Sequence, residues 1–350
     1  MTYGTLSVTD LLATTQQSVA EVGEQRIFET LQDDLNIHNG RVRQMRAALA
    51  ETTTDRQRRY GGNDAMVMED IAEFGTPDAQ KVAAGATVGF PLRLAGVTIQ
   101  WTRKWFQNHT AAELAAQYTA AKAADIKRIE RDIKRALFTA TNSTFVDRLV
   151  DVVSLSVKAL VNADSAAIPL GPEGDSFDGA THTHYLGTGS FVAADLTGLI
   201  DTVLEHHNTG QVMVYINKAQ EAAVRAFTGF TAYTDPRLML GTQANQPGAR
   251  LDLLNPTNRA IGIFGPAEIW VKPWIPASYL FAWVAGAPPP LAFRIRNPQA
   301  DALVIAADDE VHPLRAQSME REFGVGVWTR TNGAALYTGN ATYASPTITA

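Results

Sequence analysis

The sequence contains no cysteine. Disulfides, thiolate nucleophiles and cysteine-ligated zinc are therefore excluded. Nor does it contain an apolar run near the ~18 residues that a membrane-crossing helix needs. Its start, MTYGTLSVTDLLATTQQSV, shows no basic stretch leading into an apolar one, so no signal peptide is expected. Positive charge is not in excess: 30 Lys and Arg stand against 36 Asp and Glu, a formal net charge of −6. That balance argues against a protein whose main task is gripping nucleic acid by its phosphates. It is compatible with a container for nucleic acid, whose inner wall gains nothing from sticking to its cargo. A Gly-x-Ser-x-Gly elbow, a Walker loop and a His-Glu-x-x-His helix are also missing. With them go the common enzyme classes; no catalytic residue and no cofactor is assigned, and a non-enzymatic protein is expected.

What is present is a chain of 350 residues, 45% hydrophobic and 19% charged. That composition is ordinary for a globular protein with a substantial core, and the length suggests two or three domains. The most informative stretch is WTRKWFQNHTAAELAAQYTAAKAADIKRIERDIKRALF, Trp101–Phe138. An aromatic and basic strand end passes through a short polar joint into one helix without Gly or Pro. At ~1.5 Å per residue the helix is about 40 Å long, against a usual mean of roughly 11–12 residues. Thr110 with Glu113 three residues on is the capping-box pattern that starts it. Ile126, Ile129, Ile133 and Leu137 form its apolar stripe, and charged residues cover most of the rest.

Around this rod the chain divides by pattern. Residues 1–55 carry a thin helical stripe of Val22, Ile27, Phe28, Leu31 and Leu35. Asn39-Gly40 reads as a turn that interrupts it before a second stripe of Val42, Met45 and Leu49. Residues 56–109 read as a long two-stranded arm, MVMEDIAEF against VGFPLRL, with TPDAQKVAAGAT as its loop tip. Two strands alone bury too little apolar surface to be stable, so a partner surface is implied. Residues 191–308 look like an α/β unit: a helix over Ala194–His207, a buried strand over Gln211–Asn217, and later β runs AIGIFG, AEIWVKPWI and YLFAWVAG. Met319–Gly339 reads as a hairpin with Asn332-Gly333 at its turn.

Histidines offer a weak metal signal. His182-Thr183-His184 place two imidazoles close in sequence, but no third ligand follows in a recognisable spacing, so a polar loop is read and no metal is assigned. His206-His207 sits at a helix end, where cationic side chains meet the C-terminal dipole. A metal-dependent enzyme built on His182, His184 and His206 or His207 is the rival this pattern allows. The carboxylates of Glu173–Asp178 do not match the spacing of a calcium loop. Among the six tryptophans, Trp101 and Trp105 flank Arg103-Lys104. That grouping suits an inter-subunit contact, since Trp and Arg are favoured at interfaces. Trp101, Arg103, Lys104 and Trp105 are therefore the candidate contact residues.

The order of elements resembles the major capsid proteins of tailed bacteriophages, the Hong Kong 97-type fold. VYINKAQEAAVRAFTGFTAYTDPRLMLG (Val214–Gly241) looks like the strand, helix and loop of that family's axial domain. AEIWVKPWIP with YLFAWVAG resembles its later strands, and REFGVGVWTRTNGAALYTG those that rejoin the peripheral domain. The resemblance implies an α+β fold with an N-terminal arm (1–55), an extended β-hairpin loop (56–109) and a spine helix (110–138). It further implies a peripheral domain (139–190 and 309–350) and an axial domain (191–308). It implies self-assembly as hexamers and pentamers into an icosahedral shell around double-stranded DNA, in a virion assembled in the host cytoplasm. A separate scaffolding protein, a portal, and non-specific contact with packaged DNA follow from it, with no membrane. Some members of that family join a loop lysine to a neighbour's asparagine; Lys81 and Asn332 are the positions that would match. An encapsulin-like nanocompartment shell resembles the same fold and encloses proteins instead. A decoration protein is disfavoured by the long helix.

Overall fold

The computed structural model describes residues 6–60, 66, 68–80, 86–233 and 258–348. Three helices open the chain: α1 (Val8–Ala13), α2 (Val19–Val22) and α3 (Glu24–Ala47). Serines at positions 7 and 18 cap the first two with reciprocal hydrogen bonds to Asp10 and Glu21. Helix α3 runs straight through Asn39-Gly40, where the sequence predicted a turn. The reason is tertiary. The Asn39 side chain is buried, donates to the Leu303 carbonyl (3.0 Å) and accepts from the Leu303 amide (2.7 Å). Those bonds outweigh the local preference of Asn-Gly for a turn.

Strands β1 (Ala50–Thr53), β2 (Gln57–Tyr60), β3 (Ala86–Gly89) and β4 (Arg93–Thr102) follow. The arm's ribbon pairs Gln57–Tyr60 with Ala86–Gly89. The predicted pairing of MVMEDIAEF is not formed: the described residues there carry no strand. Tyr60, Val88 and Phe90 instead root the ribbon on Ala292 and Trp328. Helix α4 (Arg103–Asn108) then leads into α5 (Ala111–Phe138), the long helix, capped by Thr110 and Glu113 as expected.

Beyond α5 come β5 (Ser143–Val146), β6 (Ser154–Val157), β7 (Tyr185–Gly187), α6 (Ala193–Leu204), β8 (Gln211–Ile216), α7 (Glu221–Ala226) and β9 (Phe230–Ala232). The remaining strands are β10 (Arg259–Phe264), β11 (Ala267–Val271), β12 (Tyr279–Ala285), β13 (Leu291–Arg294), β14 (Val304–Val311), β15 (Leu314–Val327) and β16 (Ala334–Tyr337). Among the described residues these strands build two larger sheets. One contains β1, β13, β15, β14 and β4; the other runs β7-β16-β12-β8-β11-β10-β9. β15 and β16 thus belong to different sheets, so Asn332-Gly333 lies on a crossing and closes no hairpin. Sheet membership also crosses the expected domain limits. β13 joins the five-stranded sheet, although it falls within 191–308, and β14 of the same sheet straddles the limit at 308. β16 joins the seven-stranded sheet, although it falls within 309–350.

Strand alternation explains how the larger sheet is buried on both faces. Leu280, Ala282 and Val284 of β12 pack with Leu196, Leu199, Ile200 and Val203 of α6. Tyr279, Phe281 and Trp283 point the other way, into a core shared with Ile129, Ile133, Leu137 and Phe138 of α5. The first half of α5 lies in another core. Leu114, Ala115, Tyr118 and Ala121 pack with Leu11, Val19, Ile27, Leu31, Leu35 and Trp101. One helix therefore spans two hydrophobic cores.

Between those cores sits a buried ionic network. Arg321 of β15 donates from Nε and Nη2 to the two oxygens of Asp125 on α5, both at 2.8 Å. His38 of α3 meets the same carboxylate at 2.8 Å, and Arg321 also donates to Asn39 Oδ1 at 2.8 Å. A second buried pair, Arg46 with Asp301, fixes the end of α3. Burial opposes ionisation of Asp125, but the bonds from His38 and Arg321 and the arginine charge prevail, and its pKa is lowered.

Asp125→Ala would strand the Arg321 guanidinium, which is 1% exposed. The expected loss is about 3–5 kcal/mol, read from urea unfolding at neutral pH. The sign with pH follows from the lowered pKa. The stabilisation is complete above the unfolded carboxyl value of ~3.9 and is lost as pH falls through the lower folded value. The wild type should therefore lose stability on acidification in a window that the alanine variant lacks.

Candidate functional site

The joint between β4 and α5 is helical. The Thr102 hydroxyl accepts from the Trp105 amide at 3.2 Å and starts α4. Trp101 is 2% exposed and packs with Phe28, Phe106 and Tyr118, the last stacked at 6.2 Å. Its Nε1 donates to Gln117 Oε1 at 2.6 Å. A large ring with a satisfied N–H belongs to the interior, so the expectation of Trp101 as an inter-subunit contact is corrected. Arg103 and Lys104 are exposed, and Arg103 pairs with Glu310 at 3.4 Å. Trp105 is half-buried and stacks on His109 at 4.6 Å. These three residues remain at the surface.

Of the expected cross-link pair, Lys81 lies outside the described residues. Asn332 is 0% exposed. Its Oδ1 accepts from the Val284 amide (2.8 Å), and its Nδ2 donates to the carbonyls of Val284 (3.1 Å) and Pro288 (2.8 Å). The amide is fully engaged in holding β12, so a neighbour's lysine cannot reach it without opening the sheet. The cross-link expectation is corrected accordingly.

Two surface segments stand out, one inside the arm expected over 56–109 and one that the sequence reading did not pick out. Every described residue from Met68 to Gln80 is exposed. Within this span Met68 is 99% and Phe74 94% exposed. The second segment is the tip between β5 and β6, where Leu149, Val150, Val152 and Val153 face outward. This hairpin is held rigidly at its base. The buried Asp147 carboxylate accepts from Arg294 Nη2 at 2.8 Å, and Arg294 Nη1 donates to the Phe90 carbonyl at 2.8 Å. Both segments expose large apolar side chains, the first among carboxylates at Glu69, Asp70, Glu73 and Asp78.

The histidines set aside in the sequence do converge. His182 Nε2 lies 3.2 Å from His184 Nε2 and 3.1 Å from His206 Nε2. Glu205 Oε1 lies 3.3 Å from His182 Nε2 and 3.8 Å from His206 Nε2. The His184 Nδ1–H donates to the Gly333 carbonyl at 2.7 Å. Burial pushes His206 down to about 3, helped by the neighbouring imidazoles of His182 and His207. It also pushes Glu205 up to about 7, with Asp201 adding to the effect. His184 is lowered well below the ordinary histidine value by burial and by His206. The helix-end reading of His206 as a cation is therefore corrected: it is buried and neutral. His207 stands apart, with its Nε2 3.1 Å from the Thr331 hydroxyl.

No protein-family model matches the sequence, and neither does any curated protein. Solved structures do match. A chain from Mycobacterium phage Patience aligns over 99% of this chain and 96% of its own, at 20% identity and a TM-score of 0.65. The chain has a Hong Kong 97-like fold. Two weaker likenesses are a chain of the cyanophage Pam1 capsid asymmetric unit and one of a virus-like particle from Pyrococcus furiosus. The first has 12% identity, covers 84% of this chain and 89% of that one, and has a TM-score of 0.47. The second has 11% identity, covers 88% and 98%, and has a TM-score of 0.44. The fold rests on the Patience chain.

Within the Hong Kong 97-like fold the joint 101–110 divides into a buried anchor and an exposed rim. Trp101→Ala should cost the isolated chain about 3–5 kcal/mol, measured by chemical denaturation. Arg103→Ala with Lys104→Ala should change stability by no more than about 0.5 kcal/mol. Equal destabilisation by both would remove the distinction.

Proposed function

We propose that the chain is the major capsid protein of a tailed bacteriophage, self-assembling into the icosahedral shell that encloses its double-stranded DNA. The observation that carries this reading is the bare segment Met68–Gln80. It is fully exposed in a chain whose fold matches a phage chain nearly end to end. Burying a Phe or Met side chain is worth about 1.5–3 kcal/mol, and here the Phe74 ring and the Met68 thioether are left in water. In a shell each such contact repeats at every subunit, so a modest contact per copy suffices.

In this reading residues 1–55 are the N-terminal arm and 56–109 the extended loop laid over a neighbour. Residues 110–138 are the spine. The five-stranded sheet belongs to the peripheral domain and the seven-stranded sheet to the axial domain around five- and six-fold axes. Arg103, Lys104 and the edge of Trp105 meet an adjacent subunit. The net charge of −6 gives an inner wall that does not bind DNA tightly. Scaffolding protein and portal are separate chains, and the shell forms in the host cytoplasm. Among the described residues no helix is long and apolar enough to cross a membrane. The role is structural rather than enzymatic.

Negative-stain microscopy of the expressed chain, alone and with a scaffold, tests this. The wild type should form closed shells. Met68→Ser with Phe74→Ser should stop at small oligomers while the thermal midpoint of the unassembled chain stays unchanged. Shells from the double variant indistinguishable from wild type would sink the role given to the segment. Particles purified from infected cells with a protein cargo and no DNA would replace the phage reading with a nanocompartment.

A further inference from the structure

We infer that His182, His184, His206 and Glu205 form a metal site for one divalent transition-metal ion of the zinc class. The four ligand atoms lie within 4.8 Å of one another. Donors ~2.0–2.1 Å from a tetrahedral centre are separated by about 3.3–3.4 Å, from the geometry of zinc–imidazole bonds. Of the six separations among the four atoms, four are 3.1, 3.2, 3.3 and 3.8 Å, close to that value, and all six are within 4.8 Å. Three imidazoles and one carboxylate are the donor set that suits such an ion in a chain without cysteine.

Hydrogen bonding among the four atoms does not account for the arrangement. A neutral imidazole has one N–H and one lone pair. The His184 N–H is committed to the Gly333 carbonyl, so its Nε2 presents only a lone pair to the cluster. His182 Nε2 faces three of these atoms at once, His184 Nε2, His206 Nε2 and Glu205 Oε1, and a single ring nitrogen carries at most one hydrogen or one lone pair for them. Glu205 Oε1 is buried and receives no hydrogen bond. A dication satisfies all four at once. The His184–carbonyl bond is also the outer-shell contact that fixes tautomer and ring direction in metal-binding histidines.

The surroundings favour a structural ion over a catalytic one. Four protein donors close a tetrahedral site and leave no position for substrate. Phe177 lies against the cluster, its ring 4.1 Å from His206 and 4.8 Å from His182. Glu205 is the cap residue at the C-terminal end of α6, where positive charge is favoured. The ion would clip three segments together: the chain entering β7, the end of α6, and the crossing at Gly333 before β16. The inference does not depend on the capsid reading, since a clip of this kind serves any use of the fold.

Elemental analysis of the untagged chain, dialysed against metal-free buffer, should find one zinc per chain. A chelator should remove it and lower the thermal midpoint; Zn²⁺ should restore the midpoint and Mg²⁺ should not. Co²⁺ added to the stripped chain should give the intense visible absorption of a tetrahedral site. His182→Ala and Glu205→Gln, at the more open side of the cluster, should each weaken Zn²⁺ binding at least tenfold in competition with a chromophoric chelator. His109→Ala, away from the cluster, should leave it unchanged. Absence of stoichiometric metal together with no Co²⁺ spectrum would overturn the inference. So would unaltered Zn²⁺ affinity in both cluster variants when circular dichroism shows them folded.

Discussion

The structure depends on the carboxylate of Asp125 and the guanidinium of Arg321 meeting inside the protein. Neither tolerates the interior alone; their contact joins α5 to β15, and His38 and Asn39 of α3 complete the network around it. Apolar contacts along a helix tolerate some sliding, because one aliphatic side chain fits against another at several offsets. A bidentate ion pair does not. Shifting α3 by one residue would turn His38 and Asn39 away and leave Asp125 and Arg321 short of partners. The network thus sets the register of the N-terminal helix on the spine, and of the spine on the central strand. The hydrophobic cores on either side then fill in around a fixed frame.

How much of this could be read beforehand varied with the range of the interactions. The start of α5 was legible because Thr110 and Glu113 are three residues apart and satisfy each other locally. β12 was legible as a β run because its apolar and aromatic residues are consecutive. Asn39-Gly40 misled because the deciding partner, Leu303, is more than 250 residues away. Trp101 misled for a similar reason: the residues that directly follow it are polar and basic, while its packing partners come from α3, α4 and α5. The histidines had the faintest signal. Two ligands arrive on a loop and two at a helix end, and only folding brings the pairs together. The exposed apolar residues of 68–80 carried no signal of exposure, since Met, Ile and Phe in a sequence normally announce a core.

A division of labour follows. Ionic and polar side chains are used inside, where they specify position: Asp125 with Arg321, Asp147 with Arg294, Asn332 with β12. Apolar side chains are left outside at the described arm and at the tip between β5 and β6. That inverts the usual expectation for a protein that works alone. It is consistent with a subunit whose interior must be rigid before its edges meet copies of itself.

The position of β16 has a consequence for the order of events during synthesis. It lies between β7 and β12 in the seven-stranded sheet, pairing with both. β7 is therefore made long before the strand it needs. At ordinary rates of translation the interval is on the order of ten seconds. Once β12 has been made and until β16 follows, the sheet ends at β12, and the Gly333 carbonyl that orients His184 has not emerged. The nascent chain passes through a stage with an open sheet edge beside β12, and β16 closes that edge from within. The last strand to be made acts as the keystone.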